Sequence, residues 1–290
     1  NGEMLGAMAA EQFGIPFTLS TMSICSLEDV ASVTSKPFWF QLYVMRDRGF
    51  VRELIQRAKA CGCSALVLTL DLQILGQRHK DLKNGMSVPP RLTLANLLDL
   101  ATKPGWALRA LGGRKTFGNL AGHVKGMDGI TTLSQWTASQ FDPTLNWDDV
   151  AWIQREWGGK LILKGIMDAE DARTGASLGV DAIVVSNHGG RQLDGAPASI
   201  DALPAIVEAA GHLSEIWFDG GIRSGQDILK ACALGAKGCM IGRAFLYALG
   251  AMGQPGVSLM LEILRKELDV SMALTGLRDI RDASPDILIR

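Results

Sequence analysis

A chain of 290 residues, 47% hydrophobic and 20% charged with a formal net charge of −1, makes one generous globular domain or two small ones, with no basic footprint for nucleic acid or acidic lipid. No apolar stretch reaches the ~20 residues of a membrane span, and residues 1–12 lack the basic and apolar regions of a signal peptide. Five cysteines (Cys25, Cys61, Cys63, Cys232, Cys239) in no metal-ligand spacing read as buried free thiols of a reducing cytoplasm, which leaves small or weakly charged partners and no metal site.

In chain order, the sequence opens within a helical pattern, NGEMLGAMAAEQFG. Short β-rich or apolar runs follow at Phe17–Thr21, Phe38–Val44 and Ala65–Asp71. Between Asp71 and Leu161 lie roughly 60 residues more than a βα connection needs, the length of a lid, a binding segment or disorder. Within this excursion, at about 79–146, Leu92–Leu100 and Trp106–Leu111 form apolar helical faces broken at Lys103-Pro104-Gly105. They either pack on the rim of the domain or attach it peripherally to a membrane. Four further strand runs occur at Leu161–Ile166, Ala182–Asn187, Ile216–Gly220 and Cys239–Gly242, separated by helical periodicity.

A repeat supports this count. Gly62-Cys-Ser-Ala65, Gly179-Val-Asp-Ala182 and Gly235-Ala-Lys-Gly238 each place a glycine three residues before a strand opens, where it can end the preceding helix in the left-handed conformation. Segments from Gly165-Ile166 and Gly221-Ile222 match at constant offset, Asp171 with Asp227 and Leu178-Gly179 with Leu234-Gly235. Such βα units, apolar throughout their strands, build either an open doubly wound sheet or a (β/α)8 TIM barrel. Neither GxGxxG nor GxxxxGK[ST] occurs, and polar residues stand at nearly every strand end, so the expectation is one barrel domain over 1–290. One strand is missing from the count, so the barrel is expected to be N-terminally incomplete, its first strand upstream of Asn1.

The strand ends carry the chemistry. FDGGIRSGQD (218–227) and MIGRAF (240–245) each end a strand in glycine and arginine before a helix, gathering backbone N–H groups and the cations Arg223 and Arg243 around a phosphate. Lys164, ending LILK, suits a carboxylate partner, a Schiff base or the charge that develops near N1 of a reduced flavin. In SNHGGRQLDG (186–195) two glycines let His188 and Arg191 face one cavity, the imidazole as base and the guanidinium as a fork for a carboxylate. Asp71 can hold the imidazole and Arg78 can supply a second cation, a set suited to oxidising a small hydroxy acid.

These residues resemble the FMN-dependent L-2-hydroxy-acid dehydrogenases and oxidases along the whole chain, most specifically in SNHGGRQLDG. The resemblance implies His188 as active-site base, Asp71 as its partner, Arg191 and Arg78 as carboxylate ligands and Tyr43 of FQLYV at the substrate. It implies FMN contacts at Ser20, Gln41, Thr69, Lys164, Asp219, Gly221, Arg223, Gly242 and Arg243. TLSTMSICSLEDVA and FDPTLNWDDVAWI are most similar to bacterial respiratory L-lactate dehydrogenases, with (S)-mandelate dehydrogenase next. Met22 stands where short-chain oxidases of the family often carry tryptophan, which points away from glycolate. The implied acceptor is quinone or a cytochrome, or oxygen in an oxidase, and the implied state is a homotetramer in the cytoplasm or on the cytoplasmic face of the inner membrane. Another FMN or phosphate-binding barrel, such as a type 2 isopentenyl diphosphate isomerase, shares the glycine-arginine turns but does not need His188 beside Arg191. A non-catalytic relative or inactive truncated fragment would lack flavin.

Overall fold

A computed structural model of the chain describes residues 1–74, 76–85, 93–111, 113, 116–121, 123 and 139–288. Seven parallel strands, β1 Thr18–Ser20, β2 Trp39–Tyr43, β3 Ala65–Thr69, β4 Lys160–Ile166, β5 Ala182–Val185, β6 Glu215–Asp219 and β7 Gly238–Met240, pair strictly in chain order. Parallel neighbours in chain order require a crossover on one face each time, which is the βα repeat of a (β/α)8 barrel. No pairing joins β1 to β7 among the described residues, so the barrel is open there. Residues of both edges, Leu19, Ser20, Cys239 and Met240 among them, line an apolar cleft of about 520 Å³.

Among the described residues the α-helices are α1 Gly2–Phe13, α2 Leu27–Ala31, α3 Arg48–Ala60, α4 His79–Lys83, α5 Leu94–Ala101, α6 Pro104–Leu111, α7 Trp147–Trp157, α8 Ala169–Ser177, α9 Ser199–Ala210, α10 Gly225–Ala233, α11 Arg243–Met252 and α12 Gln254–Leu274. The repeat glycines Gly62, Gly179 and Gly235 have φ of 72°, 79° and 103°, the left-handed exit expected of them. Asp171 and Asp227 both sit in the first turn of their helices, α8 and α10, where a carboxylate meets free N–H groups and the positive end of the helix. That accounts for their match at constant offset.

Several strands are shorter at their C-terminal ends than their apolar runs suggest. Asp71, Asn187 and Gly220 lie beyond the last paired residues, Thr69, Val185 and Asp219, and therefore belong to the loops that rise over the mouth. Of the five thiols, all free, only Cys25 and Cys63 are buried; Cys61, Cys232 and Cys239 are half-buried, because they sit where helix and strand ends approach the surface.

Alternation along each strand separates two apolar layers. Phe40, Leu42, Leu66, Leu68, Leu161, Leu163, Ile183, Val185, Ile216 and Phe218 pack outward against the helices. Ala65, Val67, Ile162, Ala182 and Val184, with Trp39, Trp217 and Met240, fill the barrel interior, where the two indoles meet edge to face at 5.3 Å. Continuing the inner parity toward the C-terminal ends leads to Gln41, Thr69, Lys164, Ser186 and Asp219. The mouth is thus polar because the inner face changes from apolar to polar over one or two residues per strand.

The excursion leaves after β3 and returns at Asn146, whose side chain accepts from the Asp148 and Asp149 amides to start α7. The break between α5 and α6 falls at Thr102-Lys103, one residue earlier than Lys103-Pro104-Gly105, and Pro104 is the first residue of α6, where its missing N–H costs nothing. Leu92 lies outside the described residues, and α5 starts at Leu94 behind a Thr93 cap. The rim-packing reading of these helices does not hold for α5, which has no buried residue. Leu94, Leu97, Leu98, Trp106 and Leu108 are all exposed, from 50% at Leu97 to 73% at Leu94.

Candidate active site

The inner-face polar residues form two connected sets. Ser20 Oγ donates to Gln41 Oε1 at 3.0 Å, and Gln41 Nε2 donates to Thr69 Oγ1 at 2.9 Å, a chain across β1, β2 and β3. Register makes it: Ser20 pairs with Gln41, and Gln41 stands beside the strand whose end carries Thr69. Lys164 Nζ meets Ser186 Oγ at 2.9 Å and Asp219 Oδ2 at 3.0 Å, and Ser186 Oγ donates to Asp219 Oδ2 at 2.7 Å, linking β4, β5 and β6. Lys164 therefore does have the carboxylate partner that a structural lysine would want. Two of its three N–H donors are used, and one remains for an anion.

The loop after β5 carries His188 on a single 3-10 turn, His188–Gly190, held from below. Its amide donates to Ser186 Oγ at 3.1 Å, and Asn187 Oδ1 accepts from the Gly190 amide at 3.1 Å. His188 has φ +58°, alone among described non-glycine residues in being positive, a conformation that costs energy and is retained only where the surroundings impose it. The imposed geometry brings Nδ1 to 3.0 Å from Asp71 Oδ1. A carboxylate at Nδ1 fixes the proton there and leaves Nε2 as the basic nitrogen. Asp71 Oδ2 is buried with no hydrogen-bond partner among the described residues, so the imidazole is the one hydrogen-bond partner of this carboxyl among them.

Around the dyad stand Tyr43, Arg78 and Arg191. Burial, and next the Asp71 charge, push the Tyr43 phenol well above its ordinary range, while both arginines pull it back. Tyr43 stays a neutral hydroxyl. Arg78 Nε donates to Arg191 O and its Nη2 to Gln192 Oε1, each at 3.3 Å. Burial, and then the Arg191 charge, lower the Arg78 pKa.

The glycine-arginine turns lie at the other side of the mouth. A Cβ on Gly221 or Gly242 would meet nothing within 4 Å, so the backbone there faces open space ahead of α10 and α11. Arg223 is exposed, and its guanidinium has no partner among the described residues; its amide donates to Asp227 Oδ2 at 2.9 Å. Arg243 Nη2 donates to Gly189 O at 3.3 Å, across to the turn that carries His188.

Residues outside the expected set complete the walls. Ser186 is fully buried at the centre of the Lys164, Asp219 and His188 contacts; its signal in the sequence is inner parity, a hydroxyl two positions after Val184. Asn119, also fully buried, donates from Nδ2 to Ser20 O at 3.2 Å and Ser23 Oγ at 3.0 Å and accepts from the Leu27 amide at 2.8 Å, fixing the turn that carries Ser20 and Met22. Phe141 stands edge to face with Tyr43 at 5.8 Å and forms an apolar wall with Leu72 and Met22. Asn119 has no local mark in the sequence, since it arrives from the excursion, and Phe141 opens FDPTLNWDDVAWI, a stretch that carries the resemblance without disclosing a place beside Tyr43.

The FMN-dependent dehydrogenase family matches over residues 1–290. An L-lactate dehydrogenase of Caulobacter vibrioides (strain NA1000 / CB15N) is 46% identical over 289 residues, 99% of this chain and 75% of that protein. An L-lactate dehydrogenase of Ectopseudomonas mendocina (strain ymp) is 45% identical over 291 residues, covering 100% and 76%. Among solved structures, the monotopic membrane protein (S)-mandelate dehydrogenase superposes with a TM-score of 0.94 at 36% identity, covering 99% of this chain and 76% of that one. A mandelate oxidase superposes with a TM-score of 0.79 at 37% identity, covering 97% and 72%.

Proposed function

The chain belongs to the FMN-dependent dehydrogenase family, and on that premise we propose that it oxidises an L-2-hydroxy acid, L-lactate above all, to the 2-oxo acid. The observation that carries this reading is the His188–Asp71 pair at 3.0 Å with two guanidiniums, Arg78 and Arg191, beside it. Arg191 and Arg78 bind the carboxylate, the Tyr43 hydroxyl orients the substrate's oxygen, and His188 Nε2 takes the proton while Asp71 stabilises the imidazolium. Bound FMN supplies the two-electron acceptor.

The donor set fits that cofactor. Ser20, Gln41 and Thr69 offer a row of amide and hydroxyl groups to a flat heteroaromatic ring, and the remaining Lys164 N–H suits an anionic ring edge. Asp219 suits the ribityl chain, and Gly221, Arg223, Gly242 and Arg243 suit the phosphate. Residues 1–290 act as one FMN-binding barrel unit, with the excursion at 79–146 as its appendage. A second substrate, (S)-mandelate, is favoured by the apolar wall of Met22, Leu72 and Phe141 beside Tyr43. The test is an anaerobic absorbance titration of the flavoprotein with L-2-hydroxy acids. L-lactate should bleach the flavin; bleaching by (S)-mandelate alone would move the substrate, and no bleaching by any of them would end the reading.

Quinone or a cytochrome then receives the electrons, in a homotetramer on the cytoplasmic face of the inner membrane. No helix among the described residues is long and apolar enough to cross a membrane. The exposed leucines of α5 and α6 instead lie flat in the interface. Burying one such side chain contributes about 1.5–3 kcal/mol. Changing Leu97, Leu98 and Leu108 to Glu should therefore cut vesicle binding at least about tenfold and leave flavin reduction by substrate unchanged. Equal sedimentation of variant and wild type with lipid vesicles would remove the membrane assignment.

A further inference from the structure

The loops that follow β3 and β5 are fastened to each other beside the dyad, through a residue with no assigned role. Gln192 Nε2 donates to Ile74 O at 2.9 Å, and Gln192 Oε1 accepts from Arg78 Nη2 at 3.3 Å. Arg78 Nε donates to Arg191 O at 3.3 Å. The two backbones also touch. A Cβ on Gly76 would lie 2.6 Å from both Arg191 O and Gln192 O and 2.7 Å from Gln192 Cα, so only glycine allows the approach.

What this fastening holds together is electrostatically unfavourable. Arg78 and Arg191 are close enough for the charge on Arg191 to act on Arg78, and burial weakens the solvation that would otherwise screen them. Both charges also act on the Tyr43 phenol, so the two cations share its neighbourhood. Left to themselves, long side chains of like charge would swing apart into solvent. The groups that accept from Arg78 are the Arg191 carbonyl and the Gln192 carboxamide. The carbonyl is fixed by the backbone. The carboxamide stays in place because its other end is tied to Ile74 O.

Resting on the hydroxy-acid reading above, we propose that Gln192 is a positioning residue for carboxylate recognition. Its side-chain amide bridges Ile74 and Arg78 and so keeps Arg78 converged with Arg191 before substrate arrives. A carboxylate then meets a preformed pair of cations and need not order them, which is where preorganisation yields affinity. Such a contribution is equal in the bound substrate and in the transition state, so it belongs in KM rather than kcat.

The test is a double-substitution cycle on the flavoprotein with Gln192→Met and Arg78→Lys. It reads oxalate affinity by calorimetry, and KM and kcat with L-lactate. Gln192→Met alone should weaken oxalate binding and raise KM roughly tenfold, with kcat changed by no more than about twofold. In the Arg78→Lys background, which already lacks the fork that Gln192 holds, the same change should cost less than about threefold. Full multiplication of the two effects, or unchanged oxalate affinity in Gln192→Met, overturns the proposal. Should the methionine variant fail to fold, Gln192→Glu serves. It keeps an oxygen at Arg78 but pairs with it in competition with the ligand, so oxalate binding must weaken at least as much, and unchanged binding again overturns the proposal. Oxalate is not oxidised here, so a wild type that binds it but is not bleached by any L-2-hydroxy acid defeats the functional reading alone.

Discussion

His188→Gln should keep its flavin and lose flavin reduction by L-lactate by roughly 10²–10⁴-fold, the share that a positioned base contributes. Nδ1 is engaged by Asp71 Oδ1 at 3.0 Å, so the proton abstracted from substrate has only Nε2 to go to. Glutamine approximates the size of the imidazole and can still donate to Asp71, but it offers no basic nitrogen. The backbone of the turn is held independently of that side chain, through the His188 amide on Ser186 and through Asn187, so the residues proposed to hold FMN on β1 to β4 keep their places. The variant should therefore retain the flavin absorbance of the wild type at equal stoichiometry. Anaerobic stopped-flow reduction at saturating L-lactate makes the comparison, and near-normal reduction would sink the assignment of His188 as base.

The residues of this site differ in how far the sequence discloses them, and the reason is distance along the chain. Gln41, Thr69, Lys164 and Asp219 can be found from strand parity alone, because each continues the inner face of its own strand. His188 and Arg191 are legible as a motif, since the glycines between them state that the backbone folds back within three residues. The dyad itself joins positions 117 residues apart, and parity predicts only that both stand at the mouth. Gln192 is part of a visible motif, yet its partners Ile74 and Arg78 lie 118 and 114 residues away, so its role emerges only when the loops meet. Asn119 carries no local mark at all, and Phe141 only opens a motif that does not disclose its contact with Tyr43. They come from the excursion, whose helical faces are readable but whose return path depends on long-range contacts such as Arg57 to Asn119 O at 2.9 Å and Arg46 to Gln140 O at 2.9 Å. The strand ends fail for a related reason. Apolar character at Leu70 continues past the last paired residue, Thr69, so nothing in the run itself marks where the strand stops.

Gly165→Ala is expected to slow flavin reduction by roughly 10²-fold, the cost of displacing a working group by about 1 Å, although residue 165 is adjacent to the dyad and not part of it. Gly165 lies in β4 at φ +98°, where the register against β5 slips between Lys164 and Ile166. The bulge turns its Cα toward the end of β3. A Cβ there would lie 2.7 Å from Asp71 Cγ and 2.8 Å from Asp71 Cβ, closer than real side chains approach, so alanine must push the carboxyl aside. Nothing among the described residues waits to receive it, since Asp71 Oδ2 already lacks a partner and Oδ1 has only His188. The displaced carboxylate would leave His188 Nδ1 without the acceptor that orients the ring, while Arg78 and Arg191, proposed to hold the substrate's carboxylate, stay fastened to each other through Arg191 O and Gln192. The loss should thus appear in the reduction rate at saturation and only weakly in KM. Alanine at positive φ also costs stability, on the order of 1–3 kcal/mol, and that effect must be separated from the collision. Gly62→Ala provides the separation, because Gly62 has φ +72° and a Cβ on it would meet nothing within 4 Å. Both variants should lose thermal stability, Gly165→Ala the more because of its collision, and Gly62→Ala should reduce its flavin at the wild-type rate. If Gly165→Ala reduces as fast as Gly62→Ala, the vacancy at residue 165 is not what places Asp71 against His188.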